Sequence, residues 1–318
     1  MTAPDPAGRA EAAVAGRVGR LVGAKVQAAR LLGAQHGSSH YRVTLGDGRV
    51  AFAKVAANDM GGDGRDGDGR GGALEAEARG LRWLAGANAV AVPEVLGADP
   101  GTLVQAWVAE QAPDRFAAEQ FGRDLAALHA AGADRFGSPW PGFIASLPLG
   151  DGTGDVSGDA GPGGVSSAWP DWYASQRLLP YLRRGAGNGR LTPADTRLVE
   201  SVIGRLAELA GPAEPPSRIH GDCWSGNVLW SAGRGWLIDP AAQGGHRETD
   251  LAMLALFGAP YLDRILASYQ EAAPLADGWR ARVPLHQLHP LLVHVCLFGA
   301  GYRGSVLAAA RAALSGQP

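Results

Sequence analysis

The run His220-Gly221-Asp222-Cys223-Trp224-Ser225-Gly226-Asn227, followed twelve residues after Asn227 by the aspartate of Trp236-Leu237-Ile238-Asp239-Pro240, decides how the chain reads. Asp222 and Asn227 stand at the D-x-x-x-x-N spacing of a phosphoryl-transfer loop. In such a loop the aspartate accepts the proton of an acceptor hydroxyl and the asparagine holds a magnesium ion. Residues 227–230 and 236–238 are short apolar runs separated by Ser231-Ala232-Gly233-Arg234-Gly235, a hairpin signal. The hairpin sets Asn227 beside Asp239, giving two oxygen donors suited to a hard cation. Gly, Asp and Asn are ordinary turn residues, but two apolar strands with a second aspartate at hairpin distance seldom arise by chance.

The surrounding composition permits two lobes. At 318 residues with 46% hydrophobic and 19% charged side chains, the chain can build two cores. A net charge of −2 offers no basic footprint for nucleic acid or an anionic membrane. The first twenty residues lack an apolar core, so no signal peptide is expected, and the apolar stretch 291–300 is too short to span a bilayer. Two cysteines, Cys223 and Cys296, form neither a disulfide framework nor a zinc pattern and suit a reducing cytoplasm. Cys223 reads as a small residue packed beneath the loop that carries it. Much of the excess among 47 glycines lies in residues 61–73 and 150–168, which read as solvated insertions.

Upstream, residues 41–45 and 50–55 alternate as a β-hairpin around Gly46-Asp47-Gly48. Gly37 and Ser38, in the turn before it, can lay backbone N–H groups over phosphates. Lys54 on the second strand matches the lysine that grips nucleotide phosphates, although an edge-strand lysine reads the same way in isolation. Its partner decides between these. In the helix expected over 74–85, Glu77 shares a face with Leu74, Leu81 and Leu84, and a carboxylate on an apolar stripe demands a cation. Glu75 pairs instead with Arg79 on the wet face. Residues 92–96 and 103–108 read as the next strands, the second leading to a hinge where Ala106, Trp107 and Val108 offer backbone groups to adenine.

Beyond Gln111 the pattern is helical, with helices expected around Phe121 to His129 and over 171–182, 193–209, 249–257, 261–269 and 284–298. His129 is a helix-end histidine with a structural bond. Asp250 has two readings, a cap of its own helix or a brace for the 220–227 loop.

These residues carry a resemblance. The 220–227 run, Ile238-Asp239-Pro240-Ala241 and Gly245-His246-Arg247-Glu248-Thr249-Asp250-Leu251-Ala252-Met253 closely resemble the fructosamine kinase (ketosamine 3-kinase) family. Gly142-Phe143-Ile144-Ala145-Ser146, Gln176-Arg177-Leu178-Leu179-Pro180 and Leu297-Phe298-Gly299-Ala300-Gly301-Tyr302 look like further blocks of it. Aminoglycoside and choline kinases share the HGD, Asn and Asp but not those surroundings. Three features depart from the family: His36-Gly37 stands where a glycine pair is usual, Cys223 replaces a leucine, and the glycine-rich insertions are unusual.

The resemblance implies an α+β, protein-kinase-like bilobal fold. An N-terminal antiparallel β-sheet lobe with one helix (1–108) would precede a mainly helical C-terminal lobe (109–318). It implies ATP and Mg²⁺ as cofactors and transfer to a sugar hydroxyl, O3, of a ketosamine, either a small molecule or a glycated protein lysine. A kinase for another amine or amino sugar is the alternative. In this reading Asp222 is the base, Asn227 and Asp239 hold the metal, Lys54 with Glu77 grips phosphate, and Trp224 either walls the sugar site or packs as core.

Overall fold

In the computed structural model the described residues are 6–35, 37–57, 72–150 and 168–316. Nearly all of both glycine-rich segments and His36 lie outside them.

The N-terminal part is a five-stranded antiparallel sheet in the order β1-β2-β3-β5-β4. Its strands are β1 (Val26–Gln35), β2 (Ser38–Leu45), β3 (Val50–Ala56), β4 (Val95–Asp99) and β5 (Thr102–Ala106). Adjacent residues on a strand point to opposite faces, so Val104 packs with Val14, Val18 and Tyr41 beneath helix α1 (Pro6–Val22). Leu103 packs on the other face with Leu74, Ala78 and Leu81 of α2 (Ala73–Ala85). The expectation of one helix in this lobe is therefore corrected to two. Alanine and glycine dilute the apolar signal of α1, and β1 is an edge strand with mostly exposed residues and little alternation. The strand expected over 92–96 starts only at Val95, because Pro93 lacks an N–H for the ladder.

The chain then enters helix α3 (Arg115–Ala130), capped by Asp114, whose carboxylate accepts from the N–H groups of Phe116 and Ala117 at 2.8 Å. A small hairpin follows, β6 (Gly142–Ile144) and β7 (Leu147–Leu149). A helical stretch runs through α4 (Trp169–Tyr173), a π turn (Ala174–Leu178) and α5 (Leu179–Gly187). The helix expected over 193–209 divides at Gly204 into α6 (Pro193–Ile203) and α7 (Leu206–Leu209), since glycine is a poor helix interior. After β8 (Ser217–Ile219) come the hairpin β9 (Val228–Ser231) and β10 (Arg234–Leu237), then β11 (Gln243–Gly245) and α8 (Glu248–Leu256).

Three helices close the chain: α9 (Leu262–Ala272), α10 (Trp279–Phe298) and α11 (Arg303–Ser315), the last unanticipated because alanines separate its few large apolar residues. Helix α10 starts at Trp279, five residues before the expected Pro284, and carries Pro284 and Pro290 internally. Pro290 cannot donate to the carbonyl of His286, and the Tyr173 hydroxyl donates to that carbonyl at 3.3 Å instead. The helical part has two apolar clusters. One joins α3, α9 and the β9–β10 hairpin around Phe121 and Leu125; the other joins α5, α6, α10 and α11 around Leu178 and Leu292. No helix among the described residues is long and apolar enough to cross a membrane.

Candidate active site

The loop after β8 is held by its backbone. Gly221 has φ +80°, and a Cβ there would lie 2.2 Å from the Ala241 carbonyl oxygen, so only glycine fits. His220 is fully buried; its Nε2 donates to the Ile238 carbonyl at 2.8 Å while Nδ1 accepts from the Asp222 N–H at 3.2 Å. Burial lowers the His220 pKa, which keeps that ring neutral with both nitrogens used. Asp250 accepts from the N–H groups of His220 at 2.7 Å and Gly221 at 2.9 Å and from His129 Nε2 at 3.1 Å. Of its two readings, the brace holds: the carboxylate is fully buried against the loop.

The β9–β10 hairpin pairs Leu229 with Trp236 and Val228 with Leu237, which brings the flanking residues together. The Ile238 N–H donates to the Asn227 carbonyl at 3.0 Å. Asn227 Nδ2 donates to the Asp222 carbonyl at 2.9 Å and to Asp222 Oδ2 at 3.0 Å, so the amide oxygen faces away from that contact. Asp222 Oδ1 has no hydrogen bond among the described residues. Enclosure pushes the Asp222 carboxyl up to about 7, against the Asn227 amide, which lowers it; the neighbouring carboxylates of Asp239 and Asp250 raise it further. A carboxyl poised near neutrality suits a general base.

Lys54, buried on β3, donates to Glu77 Oε1 at 2.8 Å and to Asp239 Oδ1 at 2.7 Å. The Glu77 pairing follows from its apolar face; the Asp239 contact is an addition that spacing alone does not reveal. Burial works against the lysine's charge, but the two carboxylates outweigh it and hold the Lys54 pKa above its ordinary value. Burial raises Glu77, while for Asp239 the ammonium overcomes burial and lowers the pKa. Asp239 has φ +54°, in the left-handed region where Asp and Asn are tolerated better than other side chains. As expected, Glu75 pairs with Arg79 at 2.8 Å on the surface.

At the β1–β2 turn, Gly37 has φ +81° and its carbonyl accepts from the Ala57 N–H at 3.0 Å. Ser38 Oγ donates to the Gln35 carbonyl at 3.1 Å, which closes the β1–β2 turn. Ala106 donates its N–H to the Glu94 carbonyl at 2.8 Å and Trp107 donates to Val50 at 3.1 Å, so both donors are consumed by the sheet. Of the three, Val108 alone keeps an N–H without a hydrogen bond among the described residues.

Trp224 is half-buried, with its ring edge-on to Phe257 at 5.9 Å. Cys223 is fully buried beneath the loop, and burial raises its thiol pKa well above the usual value. A second group, His246, Glu248 and His286, brings potential metal ligand atoms within 4.8 Å of one another. Both Glu248 oxygens are already taken by the Arg282 guanidinium, with Nε at 2.9 Å, so the group is an ion-pair node. Sequence reasoning missed Arg282 because its partner is 34 residues away on another helix.

A sheet lysine clamped to a helix carboxylate, facing an Asp–Asn loop and a hairpin aspartate, defines the class: a protein-kinase-like, ATP-dependent phosphotransferase. The chain belongs to the fructosamine kinase family, whose model matches residues 71–315. It is 32% identical to a probable ketoamine kinase of Synechocystis sp. over 72% of this chain and 75% of that relative. A crystal structure from Thermobifida fusca, of a protein carrying the provisional name fructosamine-3-kinase, is 53% identical with a TM-score of 0.86 and covers 95% of this chain and 98% of its own. In fold alone the chain is similar to a macrolide 2′-phosphotransferase of Brachybacterium faecium, with 16% identity, TM-score 0.58 and coverage of 93% and 97%. The chain is a sugar-amine kinase.

Proposed function

We propose that this kinase transfers the γ-phosphoryl group of ATP to the O3 hydroxyl of a ketosamine, such as a fructosamine or ribulosamine adduct, free or on a protein lysine. The observation that carries the reading is the geometry of Asp222, whose Oδ2 is fixed by Asn227 at 3.0 Å while Oδ1 has no hydrogen bond among the described residues. Asp222 takes the proton of the attacking hydroxyl as its oxygen attacks the γ-phosphorus in line; the new O–P bond forms while the bond to the β-phosphate oxygen breaks and ADP leaves. Lys54, anchored by Glu77, holds phosphate oxygens; Gly37 and Ser38 cover them; Val108 offers its N–H to adenine. Asn227 and Asp239 would hold Mg²⁺, and their hard oxygen donors, flanking the open end of the β9–β10 hairpin, fit that ion. The ion would neutralise charge on the phosphates. The nucleotide cleft lies between lobes divided near residue 108, and the two free, buried cysteines suit a cytoplasmic enzyme.

Trp224 supports the amine-bearing substrate. A half-buried tryptophan two residues after the base offers C–H groups a flat face and attracts an ammonium, which a ketosamine carries. The test is turnover with fructosamine, ribulosamine and erythrulosamine adducts beside an aminoglycoside and choline. Preference for a ketosamine upholds the proposal; turnover confined to the other two assigns the same machinery to a different amine.

A further inference from the structure

We propose that Gln105 reads the nucleotide base: its side-chain carbonyl oxygen accepts a hydrogen from the 6-amino group of adenine, which makes Gln105 a specificity-determining residue for ATP. The proposal rests on the reading that places adenine at the Val108 N–H, three residues further along the chain. Gln105 is 4% exposed, and its Oε1 is buried with no hydrogen-bond donor among the described residues. A buried acceptor without a donor destabilises a fold, because the water it gave up is not replaced. An apolar side chain of the same size would avoid that penalty, so the glutamine calls for a donor that arrives with a ligand.

The sheet register says which ligand. Residues paired across an antiparallel ladder project to one face, as do residues two apart on a strand. One row across β2, β3, β5 and β4 is His40, Lys54, Leu103 and Ala98; the next is Arg42, Phe52, Gln105 and Val95. The rows share a face and stand about 7 Å apart. That face meets the catalytic loop region, since Lys54 reaches Asp239 from it. With the Lys54 row on the phosphates, the Gln105 row lies where the base follows, on the side of residue 108. Phe52 offers a ring there, 6.4 Å from that of Trp107, and bases stack on such rings. Arg42, the other polar member of the row, lies with its guanidinium over the Trp107 ring at 5.6 Å. With adenine N1 on the Val108 N–H, the adjoining 6-amino group points along the strand toward Gln105. A turn of the terminal amide torsion, which is a soft one, brings Oε1 to that amine. Guanine has a carbonyl in the same place and a hydrogen on N1. A reversed amide could answer the carbonyl, but the N1 hydrogen would still oppose the Val108 N–H.

The experiment is calorimetric titration of the full chain with magnesium nucleotides and no sugar acceptor. Purine riboside triphosphate keeps N1 and lacks the 6-amino group, so its comparison with ATP isolates the contact. The wild type should bind ATP roughly tenfold more tightly than this analogue, the worth of one hydrogen bond, and should bind GTP more weakly than ATP. Gln105→Met keeps the volume and loses the oxygen. It should bring the ratio of ATP to analogue close to one, through weaker ATP binding, and leave the melting temperature unchanged or higher. A merely structural glutamine would give a lower melting temperature and an unchanged ratio, which would overturn the proposal. Equal binding of ATP and the analogue, or of ATP and GTP, by the wild type would do the same. Should Gln105→Met fail to fold, the side-chain ¹³Cδ resonance of Gln105 decides in the wild type: ATP should shift it and the analogue should not, and equal shifts would overturn the proposal. Because no acceptor is present, these titrations stand or fall separately from the assignment of a ketosamine substrate.

Discussion

Lys54 and Asp239, 185 positions apart in the chain, meet at 2.7 Å, and the same ammonium reaches Glu77 at 2.8 Å. One cation therefore ties strand β3, helix α2 and the segment after β10 into a single electrostatic unit with two carboxylates. Removing the cation strands both. Lys54→Met should weaken ATP binding and cost about 3 kcal/mol of stability. Glu77→Gln should do less, because Asp239 still answers the lysine. A double-mutant cycle on ATP affinity should give clear coupling between Lys54 and Glu77, and additive effects would dissolve the unit.

Asp222→Asn should fold normally and bind ATP, since Oδ2 only accepts from Asn227 and the backbone of the loop is held by Asp250. Turnover should fall about 10²–10⁴-fold, the contribution typical of a positioned base. Single-turnover kinetics at saturating ATP checks this, and near-normal turnover would remove Asp222 from the chemistry.

A Cβ on Gly226 would sit 2.2 Å from the outer ring of Trp224. The ring is half-exposed and can swing aside, so Gly226→Ala should displace it without unfolding the loop. Ketosamine KM should rise while ATP KM and the melting temperature stay close to wild type. Trp224→Ala should follow the same pattern. A stability loss of about 3–5 kcal/mol in Trp224→Ala would instead mean that the ring is core.

Acid should find Glu248. Burial opposes its charge, but the two-pronged hydrogen bonds from Arg282, with the His286 ring 3.4 Å away, overcome it and bring the carboxyl to about 2, from an ordinary 4.5. Because the folded pKa is the lower one, the stabilisation is complete above about 4.5 and drains away as pH falls toward 2. It amounts to something on the order of 2 kcal/mol. Urea titrations across this window should show a steeper loss in wild type than in Glu248→Gln; parallel curves would show that the node does not titrate.

Much of the site was legible in the sequence because its parts are local. Asp222 and Asn227 lie within one loop, the hairpin register fixes where Asp239 falls, and helical spacing alone puts Glu77 on an apolar face. What escaped was non-local or weakly patterned. Lys54 reaches Asp239 across the whole chain, Arg282 meets Glu248 between helices, and Tyr269 joins His129 from 140 residues away. The strand leading to residue 106 was clear, but the bonds that take up the N–H groups of Ala106 and Trp107 depend on the distant Glu94 and Val50. In the fold, β1 and α11 were hidden by exposed or alanine-bearing sequence, where hydrophobic periodicity has little amplitude, whereas α1 is amphipathic and was legible in principle.

The left-handed backbone of Asp239 has an evolutionary edge. At φ +54° every residue except glycine carries a steric penalty of about 1 kcal/mol, so Asp239→Gly would relieve strain while Lys54 retained Glu77 as a one-to-one partner. Such a variant would melt as high as the wild type or higher and, on the role proposed for Asp239, would hold Mg²⁺ poorly. Selection for thermal tolerance alone, in nature or in the laboratory, would therefore drift toward glycine here. On that proposed role, a continuing demand for turnover would be what keeps the carboxylate in place.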